Sequence, residues 1–464
     1  MRSLIIFLLG LALRVVLIVA SPAIWAGDPI IRLYDRFDLA KAHQLPALQI
    51  LIAGVSLLSM DPILVRYLMA LIGAAAGVGF YWVVRDLFGE RWAFPAALLF
   101  VTHPYILAVS TEPFQEILML AGLLFAFHYF FVERWIPASL CLALACVTRY
   151  EAWAACPALA LAYFWKNRRS AADLAKAAVL FGWMPVAWIA AHRGLTQTGH
   201  FVLDHSISVW RLQRYAYLAW IIVKFSQATV LVLAAAGAWR LYRERGKLDW
   251  RLGTQIGFVG LFLIAVLFSA HGVMPDPERY VTSREAHIPM YFVLLLAAAG
   301  LAQWPRWNHA MVAVSAVLGV AMAFWYVHTE TADPAVTLDY QVARALDRSV
   351  RQGERALLLT RPLTPDMVQL YLQKVRETGT EADLREAERE IEQAARTPPE
   401  FQRVVVQSRL PRGRLVAPPA GCAEWEVVWS DYPDAAHELQ GVQPLQVLRS
   451  GPLSASFIRR SCTR

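Results

Sequence analysis

Apolar runs of roughly 17 or more residues recur from Met1 to about position 328, and each is long enough to cross a hydrocarbon core about 30 Å thick. Polar residues gather in short breaks between them. Read from break to break, the chain predicts about eleven helical spans, at 3–20, 62–84, 92–109, 113–131, 136–148, 152–165, 174–191, 216–238, 253–270, 286–303 and 309–327. The stretch 46–58 is apolar but too short to span with ease, so it predicts a helix lying along the interface. At position 329 the pattern changes to a charged, Pro-rich, periodic tail. There 336–350 reads as an amphipathic helix, 355–360 as a strand and 365–375 as a helix. Further on, 381–395 reads as a highly charged helix, and 403–407 and 425–430 as strands. The expected fold is a polytopic α-helical membrane domain over 1–327, followed by a small α/β domain over 328–464.

Composition supports this division. Of 464 residues 57% are hydrophobic and only 17% charged, against about 25% charged in a soluble domain, which excludes an ordinary soluble enzyme. The net charge of +8 would suggest a nucleic-acid partner in a soluble protein. Here the basic residues cluster in short interhelical loops, Lys166-Asn-Arg-Arg169 and 240–251 above all, and nothing points to nucleic acid. These loops fall on the side that the span order assigns to the cytoplasm, which agrees with the positive-inside rule. The expectation is a multi-pass protein of the cell's inner (plasma) membrane, with a cytoplasmic N-terminus and an exported tail. The first run is read as a retained helix rather than a cleaved signal peptide, because so many spans follow it. Cys141, Cys146 and Cys156 lie in apolar runs and read as small buried hydrophobes. Cys422 and Cys462 lie in the tail, where an exported location permits a disulfide.

Ionisable residues beside the outer loops are the candidates for chemistry. The first outer loop holds Asp28, Arg32, Tyr34, Asp35, Arg36, Asp38, Lys41 and His43. Asp28 follows Gly27 directly after the first span and so sits at the rim of the bundle. A carboxylate there can take a proton from a hydroxyl, or it is simply a solvated turn residue. Glu112, in Ser110-Thr-Glu-Pro113, offers a second carboxylate on the same face. The pair Asp28 and Glu112 suits a hard divalent cation such as Mg²⁺ or Mn²⁺; alternatively Glu112 or Thr111 caps the next helix. Glu116 falls inside an apolar span and needs a partner. Arg149 and Glu151 read either as an intramembrane ion pair or as phosphate and acceptor ligands. Arg66 stands near the outer end of its span, within reach of an anionic head group, whereas Arg14 stands mid-span and pairs inside the bundle. Arg279, Tyr280, Arg284 and His287 form a basic strip before the tenth span, suited to holding a phosphate or to anchoring at the interface.

In this order the motifs resemble those of the GT-C superfamily of polyprenyl-phosphate-sugar-dependent glycosyltransferases, near the protein mannosyltransferase (family 39-like) and aminoarabinose transferase families. Leu11-Ala-Leu-Arg14 running on to Trp25-Ala-Gly-Asp28 is similar to the family's Arg-containing first helix and Gly-Asp rim. Pro46-Ala-Leu-Gln49 looks like its Pro-Pro-Leu segment, Val65-Arg-Tyr67 like the opening of its second helix, and Phe88-Gly-Glu-Arg91 like its cytoplasmic turn. Ser110-Thr-Glu-Pro113, Thr148-Arg-Tyr-Glu-Ala-Trp153 and Arg279-Tyr280 resemble later elements. The resemblance spans about 1–302, with the tail alike only in kind. It implies a membrane transferase that takes a sugar from a polyprenyl-phosphate donor to an acceptor hydroxyl or amine at the outer face, with inversion, with Asp28 as base and Glu112 as the second acid. The acceptor is unspecified. Pro29 stands where the family often carries a second acid, which keeps Asp35 and Asp38 in play as alternative bases. The rival reading is a multi-pass transporter or flippase of lipid-linked saccharide, which predicts related halves and helices broken at mid-membrane; the apolar pattern displays neither. A third reading, a noncatalytic scaffold that presents the tail, needs no carboxylate at position 28.

Overall fold

The structure is a computed structural model that describes residues 1–37, 45–167, 170–196, 213–244, 249–268, 286–303, 308–360, 399–410, 414–417, 423–432, 435–440 and 442–460. Its spine is helix α4 (Pro62–Phe88). The Asp61 carboxylate caps it by accepting from the Ile63 amide at 3.1 Å, and Pro62 occupies its first turn, where a missing N–H costs nothing. Around α4 pack α1 (Arg2–Ala20), α5 (Glu90–Val101) and α7 (Gln115–Phe131). Two short helices precede the spine, α2 (Gly27–Tyr34) and α3 (Ala47–Leu58), and α3 is the helix expected along the interface.

Four described helices are long and apolar enough to cross a membrane: Arg2–Ala20, Pro62–Phe88, Ala171–Ala191 and Asn308–Thr331. The expected count of about eleven is therefore not matched one for one. The shortfall has a physical cause, since several apolar runs are interrupted. The run at 92–109 splits into α5 and α6 (Pro104–Val109) at Thr102-His103. Pro104 has no amide to donate, and it pushes the preceding residue out of helical geometry; His103 is accordingly extended. The run at 216–238 splits into α11 (Gln213–Phe225) and α12 (Ala228–Arg243) at Ser226-Gln227. The two breaks lie together, with His103 Nε2 3.5 Å from Ser226 Oγ. Discontinuous helices, which the apolar pattern had not disclosed, are thus present. The hairpin at 135–167 is likewise built in pieces: α8 (Trp135–Cys146), a 3₁₀ turn (Tyr150–Ala154) and α9 (Ala155–Asn167). Helices α10 (Ala171–Thr196), α13 (Trp250–Phe268), α14 (His287–Gly300) and α15 (Asn308–Thr331) complete the helical body.

The tail forms a second unit. Helix α16 (Pro334–Ser349) is capped by Asp333, whose carboxylate accepts from Ala335 N at 2.8 Å. A five-stranded sheet follows, in the order β2-β1-β3-β5-β4, from β1 (Ala356–Leu359), β2 (Leu415–Val416), β3 (Trp425–Trp429), β4 (Gln446–Ser450) and β5 (Leu453–Arg459). β1 runs parallel to β2 and β3, whereas β5 pairs antiparallel with β3 and β4. Leu338, Val342 and Leu346 of α16 pack on Val427, Trp429 and Phe457 of the sheet. The segment expected as a strand at 403–407 is instead the end of helix α17 (Pro399–Gln407). Its three consecutive valines carry strand propensity, but Phe401 and Val404, three apart as on one helix face, are buried in the tail core, and Val406 is buried against the helical body. Helix α18 (Ala435–Glu438) is a single turn. The helices expected at 365–375 and 381–395, and both Cys422 and Cys462, lie outside the described residues.

Candidate functional site

One end of the helical body collects the candidate residues. The chain leaves α1 in an extended segment, and each step of that segment is fastened. Pro22 O accepts from Arg66 Nη1 at 2.9 Å. Ile24 N donates to the side chain of Gln407 at 3.1 Å. The Trp25 ring packs on Phe114 and edge-on to Tyr326. Helix α2 begins two residues later and places Asp28 in its first turn, half-buried, where the helix dipole favours a carboxylate. The far end of α2 is pinned to the body. Gln49 of α3 donates to Arg32 O at 3.0 Å and to Asp35 O at 2.7 Å, and Arg36 donates to Leu33 O at 2.7 Å and Met60 O at 3.1 Å.

Asp35 therefore stands at the opposite end of α2 from Asp28, about 10 Å away along the axis at 1.5 Å per residue. The two are not interchangeable in position. Asp38 lies outside the described residues.

Arg66 does not face outward toward a head group, as its place near the end of a span suggested. It turns into the protein, fully buried, with its Nη2 3.0 Å from Glu112 Oε1 and its Nε donating to Thr111 O at 3.0 Å. Glu112 is buried as completely. The turn 110–114 that holds it is tied down from below by Arg14, whose Nε donates to Ser110 Oγ at 2.6 Å and whose Nη1 donates to Gly10 O at 2.8 Å. Arg14 thus finds hydrogen-bond acceptors inside the bundle as expected, though they are neutral.

A second cluster joins the neighbouring turns. Arg149 Nε donates to Glu151 Oε1 at 2.9 Å, and its terminal nitrogens meet Glu151 and Glu116. Of the two readings of Arg149 and Glu151, the ion pair is the one the geometry displays; the bridge to Glu116 supplies the partner that an acid in an apolar helix requires. Glu116 and His287, at the start of α14, line a small cavity of about 10 Å³ together with Tyr105, Val109 and Leu120. Sequence reasoning passed over Tyr105 and Gln407, and it named Arg36 and Gln49 without giving either the fastening role it has here.

Arg279, Tyr280 and Arg284 lie outside the described residues. Among the described residues no three His, Cys, Asp or Glu side chains gather as a metal ion would need. Glu112, one of the two expected ligands, already faces a guanidinium. This donor set does not fit a divalent cation, and no step is derived through one.

No protein-family model matches the chain, and no curated protein matches it in sequence. Solved structures do. ArnT from Cupriavidus metallidurans in the apo state matches with a TM-score of 0.58 at 13% identity, over 97% of this chain and 97% of that chain. The same protein bound to undecaprenyl phosphate matches at 0.57 and 12%, over 98% and 96%. An oligosaccharyltransferase from Archaeoglobus fulgidus, in complex with Zn and sulfate, gives 0.48 and 11%, over 91% and 67%, too low a score to bear weight. The likeness to ArnT covers the helical body and the tail alike, and the chain shares the fold of that protein.

Proposed function

We propose that the protein is a membrane glycosyltransferase that moves a sugar from a polyprenyl-phosphate donor to an acceptor hydroxyl or amine at the outer face of the cytoplasmic membrane. The observation that carries this reading is the end-to-end likeness to ArnT, a protein also solved bound to undecaprenyl phosphate, together with a half-buried carboxylate at the start of a short helix fastened at the rim. In this mechanism Asp28 takes the proton from the acceptor. The acceptor oxygen or nitrogen attacks the anomeric carbon from the face opposite the phosphate, so configuration inverts. The bond from the anomeric carbon to the phosphate oxygen breaks, and the polyprenyl phosphate leaves as an anion that needs no proton. Its charge is met by Arg279 and Arg284, with Tyr280 and His287 as further hydrogen-bond donors. Glu151 and Glu116 hold Arg149 in place. Arg66 and Glu112 enter as the buried pair that fixes the turn and the extended segment beneath the rim.

The test is transfer from a synthetic polyprenyl-phosphate sugar in proteoliposomes. Asp28→Asn is expected to lower turnover by about 10²–10⁴-fold, the usual contribution of a general base, while Asp35→Asn leaves it within a factor of two or so. Full turnover in Asp28→Asn removes Asp28 from the base role.

A further inference from the structure

Helix α17 belongs to two cores at once. Phe401 and Val404 are buried in the core of the tail domain, whereas Val406 is buried in the core of the helical body. Its last residue, Gln407, is 1% exposed. The Gln407 side-chain oxygen accepts the buried amide of Ile24 at 3.1 Å, and the Gln407 carbonyl accepts from Arg344 of α16, inside the tail domain. Two residues on, Arg409 reaches Asp61, the cap of α4, at 2.6 Å. Tyr34, at the end of α2, packs on the tail core from the other side. The tail is therefore not a separate appendage. It supplies a fastening of the extended segment before Asp28.

From this geometry we infer that Gln407 is a positioning residue: through the Ile24 amide it sets the path of the segment 21–26 and so the placement of Asp28 at the rim. The inference rests on the proposed transfer reaction for its consequence, but not for the contact itself. A buried amide that loses its acceptor has no water to replace it and must move or stay unpaired. The segment then keeps the Pro22 carbonyl, the Trp25 ring and the buried Ile24 side chain but loses the backbone anchor in its middle, and the start of α2 becomes freer to shift. Misplacing a general base affects the chemical step more than donor binding, because the donor phosphate is met by other residues.

The experiment uses the full chain in nanodiscs and two substitutions at one position. Gln407→Met keeps the volume and removes the acceptor, whereas Gln407→Glu keeps an acceptor oxygen. Deuterium exchange over residues 21–30 is expected to quicken about tenfold in the Met variant, the factor matching one lost hydrogen bond, with exchange in the β3 strand unchanged, and to stay near the parent rate in the Glu variant. With a polyprenyl-phosphate sugar, kcat is expected to fall by a similar factor of about ten in the Met variant, while the donor KM stays within a factor of about two. Unchanged exchange over 21–30 in Gln407→Met overturns the positioning contact. Quickened exchange with unaltered kcat overturns its role in the reaction. A parent protein that transfers no sugar refutes the transferase reading instead, and the exchange arm still decides the contact.

Discussion

Arg66 and Glu112 face each other at 3.0 Å with neither side chain exposed to solvent. Arg66 stands on α4 and Glu112 in a turn, and the guanidinium also donates to Thr111 O and Pro22 O, so the pair joins α4, the turn before α7 and the segment leading to Asp28. Removing one partner leaves the other charge buried and alone, at a cost of about 3–5 kcal/mol, whereas replacing both by apolar groups is far milder. Arg66→Met is therefore expected to lower the thermal unfolding midpoint in detergent sharply, and Arg66→Met with Glu112→Leu to recover more than half of the loss. Equal melting of the single and double variants would show that the two charges are not coupled.

Arg149 bridges Glu116 and Glu151 with separate nitrogens. A lysine keeps the charge but not the planar fork, and one ammonium does not reproduce both contacts. Arg149→Lys is expected to destabilise by about 1–3 kcal/mol, the range for leaving a buried polar group unsatisfied. Adding Glu116→Gln in that background is expected to restore part of it, because a neutral amide no longer demands a cation. Melting midpoints of the three proteins decide the matter. A lysine variant as stable as its parent rules out the bridge.

How much of this was readable beforehand follows from how local each signal is. The apolar periodicity located nearly every helix of the body, whereas the change in pattern at position 329 falls within the last turn of α15. Helix breaks at Thr102-His103 and Ser226-Gln227 stayed hidden because one or two polar residues hardly alter the mean hydropathy of a 20-residue run. The turn of 403–407 into helix α17 was hidden for the opposite reason. A run of three valines fits either period, and the packing of Val406 on the helical body, remote in sequence, decided it. The place of Asp28 just past a span was legible, as was the need of Glu116 for a partner from the cost of an acid in an apolar run. That Glu112 answers to Arg66, and Ile24 to Gln407, was not legible, since each pairing is made by the folded topology.

Glu354 gives the tail an acid sensitivity whose sign is set by its partners. The Arg351 amide and the Trp425 indole both donate to its Oε2 at 2.9 Å, and Arg459 adds an ion pair at 2.8 Å. These hold the carboxyl below the ordinary glutamate range. A group whose folded pKa is depressed contributes stability in full above its unfolded value, about 4.3, and loses it as pH falls through the folded value. Protection of the β3 amides, corrected for the intrinsic pH dependence of exchange, should be flat from pH 7 to about 5 and fall below about 4.3. Glu354→Gln should show lower protection already at pH 7 and a flatter acid limb. An unaltered acid limb in that variant would exclude Glu354 as its source.

The crossing of α12 and α14 offers the sharpest steric test. Gly237 lies against the Leu296 carbonyl and Gly300 against the Leu233 carbonyl, so a Cβ added at either position would collide with backbone of the facing helix rather than with a side chain able to rotate away. Helices in a membrane-like body gain no hydrophobic drive from each other, and small residues that let backbones approach supply the packing instead. Gly237→Ala and Gly300→Ala are each expected to cost about 1–3 kcal/mol or more through overpacking, despite alanine's better helix propensity. Gly253 on α13 is the control, because a Cβ there meets nothing within 4 Å. Gly253→Ala should then be neutral or stabilising by up to about 1 kcal/mol from propensity alone. Thermal unfolding of the three variants should place Gly253→Ala highest. If Gly237→Ala melts alongside it, the two helices do not approach backbone to backbone, and the junction between the broken span and the helix that begins at His287 is looser than described.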